Sequence, residues 1–443
     1  MSTPLELAST HSQSTHHRWW VAALFFLIYT VAAADRANLG VALPFIREQF
    51  AMTNAEAGGL ASLFLVAYAL VQLPSAWLIS RFGVRKVFSI AMIFTSMATA
   101  LTGMVGSIVQ LKICRILLGV AEGPLPIGVT STINNWFPSR EKGIASGIFL
   151  SSIKLGPVLT PIIGSLIITL WGWKEIFIFF ALPGLLLPLL WYFFVTDKPE
   201  NSRFSNQAEV DLINERATTL TSDQAPDSYK KIAFLDTLIR VRPVNMLEKT
   251  RQIYRSWNVW GCSLGYCFQL GISSLLLAWI PTYLLTEKQL SVVGMGFVAA
   301  APWVGAVLGN LFGGWLSDKV LGKRRKPGML ISAISTSLMM LALISIPANP
   351  VICALLLFLT GLLLSIGFSA YMVYPMSFIA RKNFPTANAI VNMGGQLGGA
   401  ATPFIGGLLL DHYGWNAVFL FMSAISILTF IIVLTIEEPI QNA

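Results

Sequence analysis

The hydrophobic positions of this chain form long uninterrupted runs, without the apolar–polar alternation of half-buried strands. About twelve such runs are long enough to cross a hydrocarbon core of about 30 Å as α-helices. The predicted spans are 19–46, 57–79, 87–106, 109–136, 143–170, 176–196, 257–285, 292–316, 328–346, 350–379, 387–410 and 417–436. The pattern predicts an all-α polytopic membrane protein and excludes an outer-membrane barrel, whose strands alternate with period two.

Composition and charge support this class. Only 12% of the 443 residues are charged, against about 25% in soluble domains. With these spans, one side of the membrane receives 23 Lys and Arg residues and the other receives three. The positive-inside rule then places both termini in the cytoplasm. The basic run "GKRRK" at 322–326 is interpreted as a cytoplasmic anchor, so neither it nor the net charge of +9 indicates a nucleic-acid partner.

The ends of the chain and its cysteines indicate no metal centre. The polar residues 1–18 contain three His but lack the features of a signal peptide, so a disordered tail is favoured over a weak metal site. All four Cys fall inside predicted spans, where neither a disulfide framework nor a zinc site is indicated.

A polar segment and an internal repeat divide the chain in two. The motif "TPIIG" at 160–164 recurs as "TPFIG" at 402–406, and "WGWKEIFIF" at 171–179 recurs as "YGWNAVFLF" at 413–421, both at an offset of 242. Two six-helix halves related by a pseudo-twofold axis along the membrane normal are a transporter architecture. The predicted divisions are a cytoplasmic tail (1–18), an N-terminal bundle (19–196), a cytoplasmic linker (197–256), a C-terminal bundle (257–436) and a second cytoplasmic tail (437–443).

Apart from Lys112 near the start of span 4, five charged residues fall inside predicted spans of the N-terminal half. Asp35 and Arg36 lie in span 1, Arg115 and Glu122 in span 4, and Lys154 in span 5. Charges at such depth cost at least about 2.5–3.5 kcal/mol each and mark functional sites. Seven residues are two helical turns, so Arg115 and Glu122 share one face, about 10 Å apart in depth.

The chemistry of this cluster predicts an anion site coupled to protons. Arg36 and Arg115 offer two planar guanidinium groups suited to a carboxylate. Burial favours the protonated form of Asp35 and Glu122 while the neighbouring cations favour the ionised form, as expected of proton carriers. The alternative is that Asp35–Arg115 and Arg36–Glu122 are purely structural ion pairs.

Two loops carry the resemblance to a family. "AWLISRFGVRK" at 76–86 and "GWLSDKVLGKRRK" at 314–326 resemble the G-x-x-x-D-basic signature of the major facilitator superfamily. The second loop keeps Gly314 and Asp318, whereas the first has Ala76 and Ser80 at the matching positions. The resemblance implies twelve helices in two pseudo-twofold bundles and a gate. The gate residues are then Arg81, Arg85, Asp318 and Arg324.

The charged motifs narrow the resemblance. "DRANLGVALPFI" in span 1 and "RILLGVAEGPLPIGV" in span 4 resemble the anion:cation symporters, which include bacterial sugar-acid carriers. The resemblance implies that Arg36 and Arg115 bind the carboxylate and that Asp35 and Glu122 handle protons. It further implies substrate contacts for a set of polar residues. These are Tyr68, Gln72 and Asn392.

The chain also departs from these carriers. Ala33 stands where many have Tyr, and Ile153 stands near a position where the sugar-acid carriers have Gln, with Lys154 beside it. The repeat offset pairs Lys154 with Gln396, so both are predicted to line the cavity and to favour a substrate with extra negative charge. Alternatively, Lys154 snorkels or neutralises Glu122. Tyr371 is a weaker candidate from the C-terminal half.

The sequence thus predicts a monomeric, proton-coupled importer of an organic anion, a sugar acid or (di)carboxylate, in the bacterial inner membrane. It is predicted to work by alternating access and to need no cofactor other than the coupling proton. An anion exporter or exchanger of the same fold is an alternative, and a non-transporting membrane sensor is a second. No nucleophile–base pair, metal cluster or phosphate loop indicates an enzyme.

Overall fold

A computed structural model describes residues 15–138, 141–214, 239–243, 246–322, 324–380 and 383–440. The helices are α1 (His17–Gln49), α2 (Asn54–Phe82), α3 (Val84–Gly103), α4 (Ile108–Glu122), α5 (Pro124–Trp136), α6 (Lys142–Trp171), α7 (Trp173–Phe194), α8 (Gln207–Ile213), α9 (Thr250–Arg255), α10 (Trp257–Thr286), α11 (Val292–Trp315), α12 (Lys326–Ile344), α13 (Pro350–Ile366), α14 (Phe368–Val373) and α15 (Phe384–Thr435). Two short strands, β1 (Val241–Pro243) and β2 (Glu438–Ile440), pair in parallel.

The long helices match the predicted spans. Within the described ranges, eleven are long and apolar enough to cross a membrane. Spans 11 and 12 are two helices joined directly at Gly414, where φ is 76° and ψ is -172° and the helical conformation is interrupted, so α15 contains both spans. Apolar side chains such as Leu70 and Val351, 71% and 75% exposed, point outward as expected for a lipid-facing surface.

The two halves pack against each other at one end of the bundle, which we call the far face. The largest apolar cluster combines residues of both halves there, including Ile46 of α1 and Trp279 of α10. Glycines permit the close approach, since a Cβ on Gly58 would lie 2.1 Å from the carbonyl oxygen of Pro403. The far face is therefore closed.

A carboxylate also joins the halves at the far face. Asp411, near the middle of α15, accepts hydrogen bonds of 2.9 Å from the backbone N–H groups of Asn54 and Ala55 and of 2.8 Å from the Asn54 side chain. These N–H groups lie in the first turn of α2, which lacks intrahelical acceptors for them. Asp411 thus caps a helix of the other half.

The halves are separate at the opposite end, which we call the linker face because the described linker residues 197–214, 239–243 and 246–256 lie there. The apolar clusters at this end belong to one half each. A Cβ on Gly147 of α6 or Gly314 of α11 would meet no atom within 4 Å. A cleft between the halves therefore opens toward the linker face.

The start of the linker docks on the N-terminal half through Glu209 of α8. Its carboxylate accepts hydrogen bonds from the Thr15 hydroxyl and from the backbone N–H groups of His17 and Arg18, both at 3.0 Å. The Arg18 guanidinium adds a bond of 3.1 Å. Burial opposes ionisation of Glu209, but these hydrogen bonds outweigh it and hold its pKa below the ordinary 4.5.

The end of the linker docks on the C-terminal half. Strand β1 pairs with β2, and Glu438 of β2 accepts the backbone N–H groups of Arg325 and Lys326 at 3.0 and 2.7 Å. The Lys326 ammonium donates to the carbonyls of Ile239, Leu434 and Ile436. The predicted linker is thus anchored at both ends, and its middle, 215–238, lies outside the described residues.

Candidate functional site

An ion pair between α1 and α4 forms the centre of the candidate site. Arg36 Nε lies 2.6 Å from Glu122 Oε2, and Glu122 is fully buried while the Arg36 side chain is 20% exposed. The guanidinium therefore reaches the cleft and the carboxylate lies behind it. Glu122 Oε1 has no hydrogen-bond partner within the described part of the chain, so this carboxyl group is only half satisfied.

Three aromatic rings surround the Arg36 guanidinium. Its Cζ lies 4.8 Å from the ring centroid of Tyr68, 5.6 Å from that of Phe64 and 5.7 Å from that of Tyr29. Arg36 Nη2 also donates a hydrogen bond of 3.4 Å to the Tyr29 hydroxyl. Cation–π contacts of this kind are worth about 0.5–2 kcal/mol each, so the rings hold Arg36 in place without neutralising its charge.

Arg115 of α4 and Asp35 of α1 are the other two charged residues of the site, and the predicted Asp35–Arg115 ion pair does not form within 4 Å in the structure. Both are buried, with Arg115 only 2% exposed. Arg115 is within electrostatic range of Asp35 and Glu122 but makes no ion pair shorter than 4 Å with any carboxylate in the described ranges. Its Cζ lies 5.8 Å from the Phe177 ring centroid. Asp35 Oδ1 accepts a hydrogen bond of 3.3 Å from Asn38 Nδ2, and Asp35 Oδ2 has no hydrogen-bond partner in the described part of the chain.

Local sequence features bring these groups together. Gly119 lets α4 pack closely on α2, because a Cβ there would lie 2.4 Å from the Phe64 carbonyl oxygen. The helix then ends at Glu122, and α5 begins at Pro124. Because Pro124 has no N–H to donate, one backbone hydrogen bond of a continuous helix is absent just after Glu122.

Lys154 lies apart from the arginines and carboxylates of the site. Its Nζ is 4.7 Å from the ring centroid of Phe368 and 5.8 Å from that of Trp303, and both rings belong to the C-terminal half. The adjacent Ile153 packs against the apolar core of the N-terminal half instead. Of these two residues, it is therefore Lys154 that crosses the cleft.

The remaining predicted binding residues are more scattered. Gln72 is half-buried one turn after Tyr68 on α2. Asn392 donates to the Asn388 carbonyl at 3.0 Å, and Gln396 Oε1, one turn further along α15, is buried without a described partner. Tyr371 is fully buried in the C-terminal core, where its hydroxyl also lacks a described partner.

The predicted gate residues of the first half, Arg81 and Arg85, make their described contacts within the N-terminal half. Arg85 donates from its backbone N–H to Asp197 Oδ1 at 2.8 Å and from Nε to the Tyr192 carbonyl at 2.6 Å, within its own half. The exposed Arg81 lies over Trp77, 5.4 Å from its ring centroid, and over Phe82.

The gate motif of the second half stays on its own side as well. The Arg324 guanidinium donates a hydrogen bond of 3.0 Å to the Leu321 carbonyl, and the backbone carbonyl of Arg324 accepts one of 2.8 Å from the Ser317 hydroxyl. The Asp318 side chain lies outside the described part of the structure. The described contacts of Arg81, Arg85 and Arg324 thus each stay within one half, as expected when the linker face is open.

Sequence reasoning missed the aromatic residues of the site. Tyr29 precedes Arg36 by seven residues, or two turns, and Phe64 precedes Tyr68 by one turn, so helical spacing carried a signal for both. Phe368 and Trp303 approach Lys154 from the other half, and no local spacing could have identified them.

Comparisons with known proteins agree with this geometry. The sequence profile described as Major Facilitator Superfamily matches residues 25–384 and 262–442. A probable sulfoacetate transporter of Cupriavidus necator is 27% identical, with 96% of each chain covered. The D-galactonate transporter of Escherichia coli is 28% identical over 93% of each chain. A hexuronate transporter of Bacillus subtilis is 24% identical, covering 95% of this chain and 94% of the relative.

Solved structures support the same fold. A bacterial homologue of the human lysosomal transporter Spinster, in an inward-facing and occupied conformation, superposes with a TM-score of 0.72 at 16% identity, covering 94% of this chain and 95% of the other. A D-xylose–proton symporter gives a TM-score of 0.72 at 14% identity, covering 95% and 98%.

Proposed function

The chain belongs to the major facilitator superfamily, and we propose on that basis that it imports a small organic anion together with protons. It is a multi-pass membrane transporter, not an enzyme, and its relatives carry sugar acids and other organic anions. Coupling to protons, import and the nature of the substrate are our proposals.

The Arg36–Glu122 pair carries the proposal. Arg36 is the most exposed of the arginines and carboxylates of the site, but its Nε is already occupied by Glu122 at 2.6 Å. An arriving carboxylate must therefore compete with Glu122 for the same guanidinium. Protonation of Glu122 removes the competitor, so binding of the anion and uptake of a proton favour each other. Arg115 then supplies a second guanidinium from behind.

The orphan oxygens support a role for both carboxyl groups in proton transfer. Glu122 Oε1 and Asp35 Oδ2 are buried without a described donor. A buried carboxylate lacking donors is costly, whereas a proton on that oxygen lowers the cost. We assign Asp35 and Glu122 to proton exchange, with no further cofactor.

The distribution of charge supports an orientation. Among the described residues outside the spans, most Lys and Arg lie at the linker face, which favours the cytoplasmic side of a bacterial inner membrane. The cleft of this conformation then opens to the cytoplasm. We propose that gate residues Arg81, Arg85, Asp318 and Arg324 close this side in the opposite state. One chain contains the whole site, so a monomer suffices.

The polar residues around the charged cluster would contact the rest of the substrate. Tyr68 stacks on Arg36, and Gln72, Asn392 and Gln396 are half-buried on helices that border the cleft. We propose that they bind hydroxyl or second acid groups of a sugar acid or dicarboxylate, with Tyr371 supporting them from the C-terminal core.

Uptake into proteoliposomes tests the proposal. With the internal pH above the external pH, we expect a labelled D-galactonate, galactarate or sulfoacetate to accumulate above its external concentration. Arg115→Ala should lose accumulation and substrate-induced thermal stabilisation, whereas Arg81→Ala, outside the charged cluster, should keep the stabilisation. Accumulation with the pH gradient reversed would favour an exporter or exchanger. Stabilisation without any flux would favour a sensor.

A further inference from the structure

We propose that Lys154 binds a second anionic group and makes this transporter selective for dianions. This inference rests on the proposed function, because it assumes that Arg36 and Arg115 hold the first anionic group. In the conformation described here, Lys154 rests on the rings of Phe368 and Trp303, and the second anionic group would draw it away.

The charges of the site support this assignment. Glu122 balances Arg36 at 2.6 Å, and Asp35 lies within electrostatic range of Arg115. Lys154 has no carboxylate within 4 Å among the described residues, although it lies well inside α6, a membrane-spanning helix. The cluster thus contains one cation more than it can neutralise. A monoanion would use only the two arginines, so the surplus cation fits a second negative charge.

The position of Lys154 argues against the two structural alternatives. It does not neutralise Glu122, because the Glu122 carboxylate is bound by Arg36 and no Lys154–Glu122 pair forms within 4 Å. Snorkelling would carry the ammonium toward a helix end. Instead Nζ lies 4.7 Å from the Phe368 centroid and 5.8 Å from the Trp303 centroid, across the cleft from its own helix.

Aromatic rings lie beside both cations of the cleft. Arg36 Cζ is 4.8 Å from the ring centroid of Tyr68 in the N-terminal half. Lys154 Nζ is 4.7 Å from the ring centroid of Phe368 in the C-terminal half, and the Phe368 centroid is 5.4 Å from that of Tyr266. A substrate in the cleft could therefore present one anionic group to Arg36 and the other to Lys154.

The resting contact is weak enough to be exchanged. A cation–π contact contributes less than a charge-assisted hydrogen bond to an anion, so an arriving carboxylate or sulfonate outcompetes the rings. The same contacts link α6 of one half to α11 and Phe368 of the other. Binding of a dianion therefore changes a contact between the halves, which binding of a monoanion leaves in place.

Calorimetric titration of the full chain in detergent tests the inference with two matched pairs of anions. Galactarate and D-galactonate differ by one terminal carboxylate, and sulfoacetate and glycolate differ by a sulfonate in place of a hydroxyl. We expect the dianion of at least one pair to bind more tightly. Lys154→Gln should raise its Kd about tenfold or more, as expected for a lost charge-assisted contact, and change that of the monoanion less than about threefold. Lys154→Arg should restore much of the difference.

Lys142→Gln is the control, because it removes the same charge from the linker-face end of the same helix, where Nζ donates to Asn134 Oδ1 at 2.7 Å. It should change neither Kd. Equal losses for both members of a pair in Lys154→Gln, or no loss, would overturn the dianion inference while leaving the proposed function standing. If the wild-type chain bound none of the four anions and Arg115→Ala lost no uptake, the proposed function itself would fail.

Discussion

Replacing Glu122 by Gln removes the carboxylate that competes with substrate for Arg36 while keeping the shape of the side chain. The two groups form a charged pair with Nε and Oε2 at 2.6 Å and with Glu122 fully buried. With the charge centres about 4 Å apart and an effective dielectric constant of about 20, their attraction is about 4 kcal/mol. That is equivalent to roughly three decades in an equilibrium constant. We take it as the largest gain in substrate affinity expected when the charge of Glu122 is removed.

The wild-type chain should bind its anion more tightly as the pH falls. One proton taken up per anion changes Kd by up to about tenfold per pH unit. In Glu122→Gln this dependence should disappear, and the affinity should equal or exceed that of the wild type at its acidic limit. Counterflow of internal for external substrate should persist, but accumulation against a gradient should be lost.

Calorimetry between about pH 5 and pH 8 and a paired uptake–counterflow assay measure these effects. Glu141→Gln is a matched control, because it removes a carboxylate that pairs with Arg18 at 2.7 Å on the linker face, outside the cleft. It should keep both the pH dependence and the accumulation. If Glu122→Gln retained the pH dependence of Kd, or still accumulated substrate against a gradient, the competition mechanism would be wrong.

The contacts between helices give three further predictions. Gly58→Val should hold the far face open and abolish transport, because its side chain would collide with Pro403, whereas Gly59→Val should be tolerated, since its Cβ would meet only a side-chain atom at 3.8 Å. Spin labels on the two halves at the far face measure the separation, and a closed distance in Gly58→Val would refute the steric argument. Asp411→Ala should weaken far-face closure by about 1 kcal/mol, the usual value of a helix cap. The same distance measurement should then show a larger population with an open far face. An unchanged distance distribution would show that Asp411 does not stabilise the closed far face. Because the pKa of Glu209 is held below 4.5, its hydrogen bonds stabilise the fold above that pH and lose this effect as the pH falls through the lowered pKa. Glu209→Gln should therefore lower the Tm at pH 7, and by progressively less as the pH falls below 4.5 toward the lowered pKa; an equal loss at every pH would show that ionisation is not involved.

The sequence was sufficient for the membrane-spanning helices because hydrocarbon imposes their length and composition. The expected span 19–46 corresponds to His17–Gln49, and 143–170 corresponds to Lys142–Trp171. The boundary between spans 11 and 12 was predicted between 410 and 417, and Gly414, whose φ of 76° interrupts the helix, lies in that gap.

The site was partly predictable for a similar reason. Buried charges are rare enough to stand out, and the spacing of Arg115 and Glu122 placed both on one face of the fourth span. The partners across helices were not predictable. The sequence offered Asp35–Arg115 and Arg36–Glu122 equally as ion pairs, whereas only Arg36–Glu122 is close in the structure. It predicted that Lys154 lines the cavity but not which residues of the other half it contacts. Both depend on how helices rotate against one another, which glycine contacts such as that of Gly119 with α2 determine.

Proton movement driven by the substrate gradient tests the central claim most directly. Proteoliposomes containing the chain and an internal pH-sensitive dye would receive external substrate with no initial pH gradient and with the membrane potential clamped. We predict acidification of the interior that starts with the substrate, scales with its uptake and is absent in Glu122→Gln. Uptake of the anion in the wild type without any acidification would contradict coupling through the Arg36–Glu122 pair.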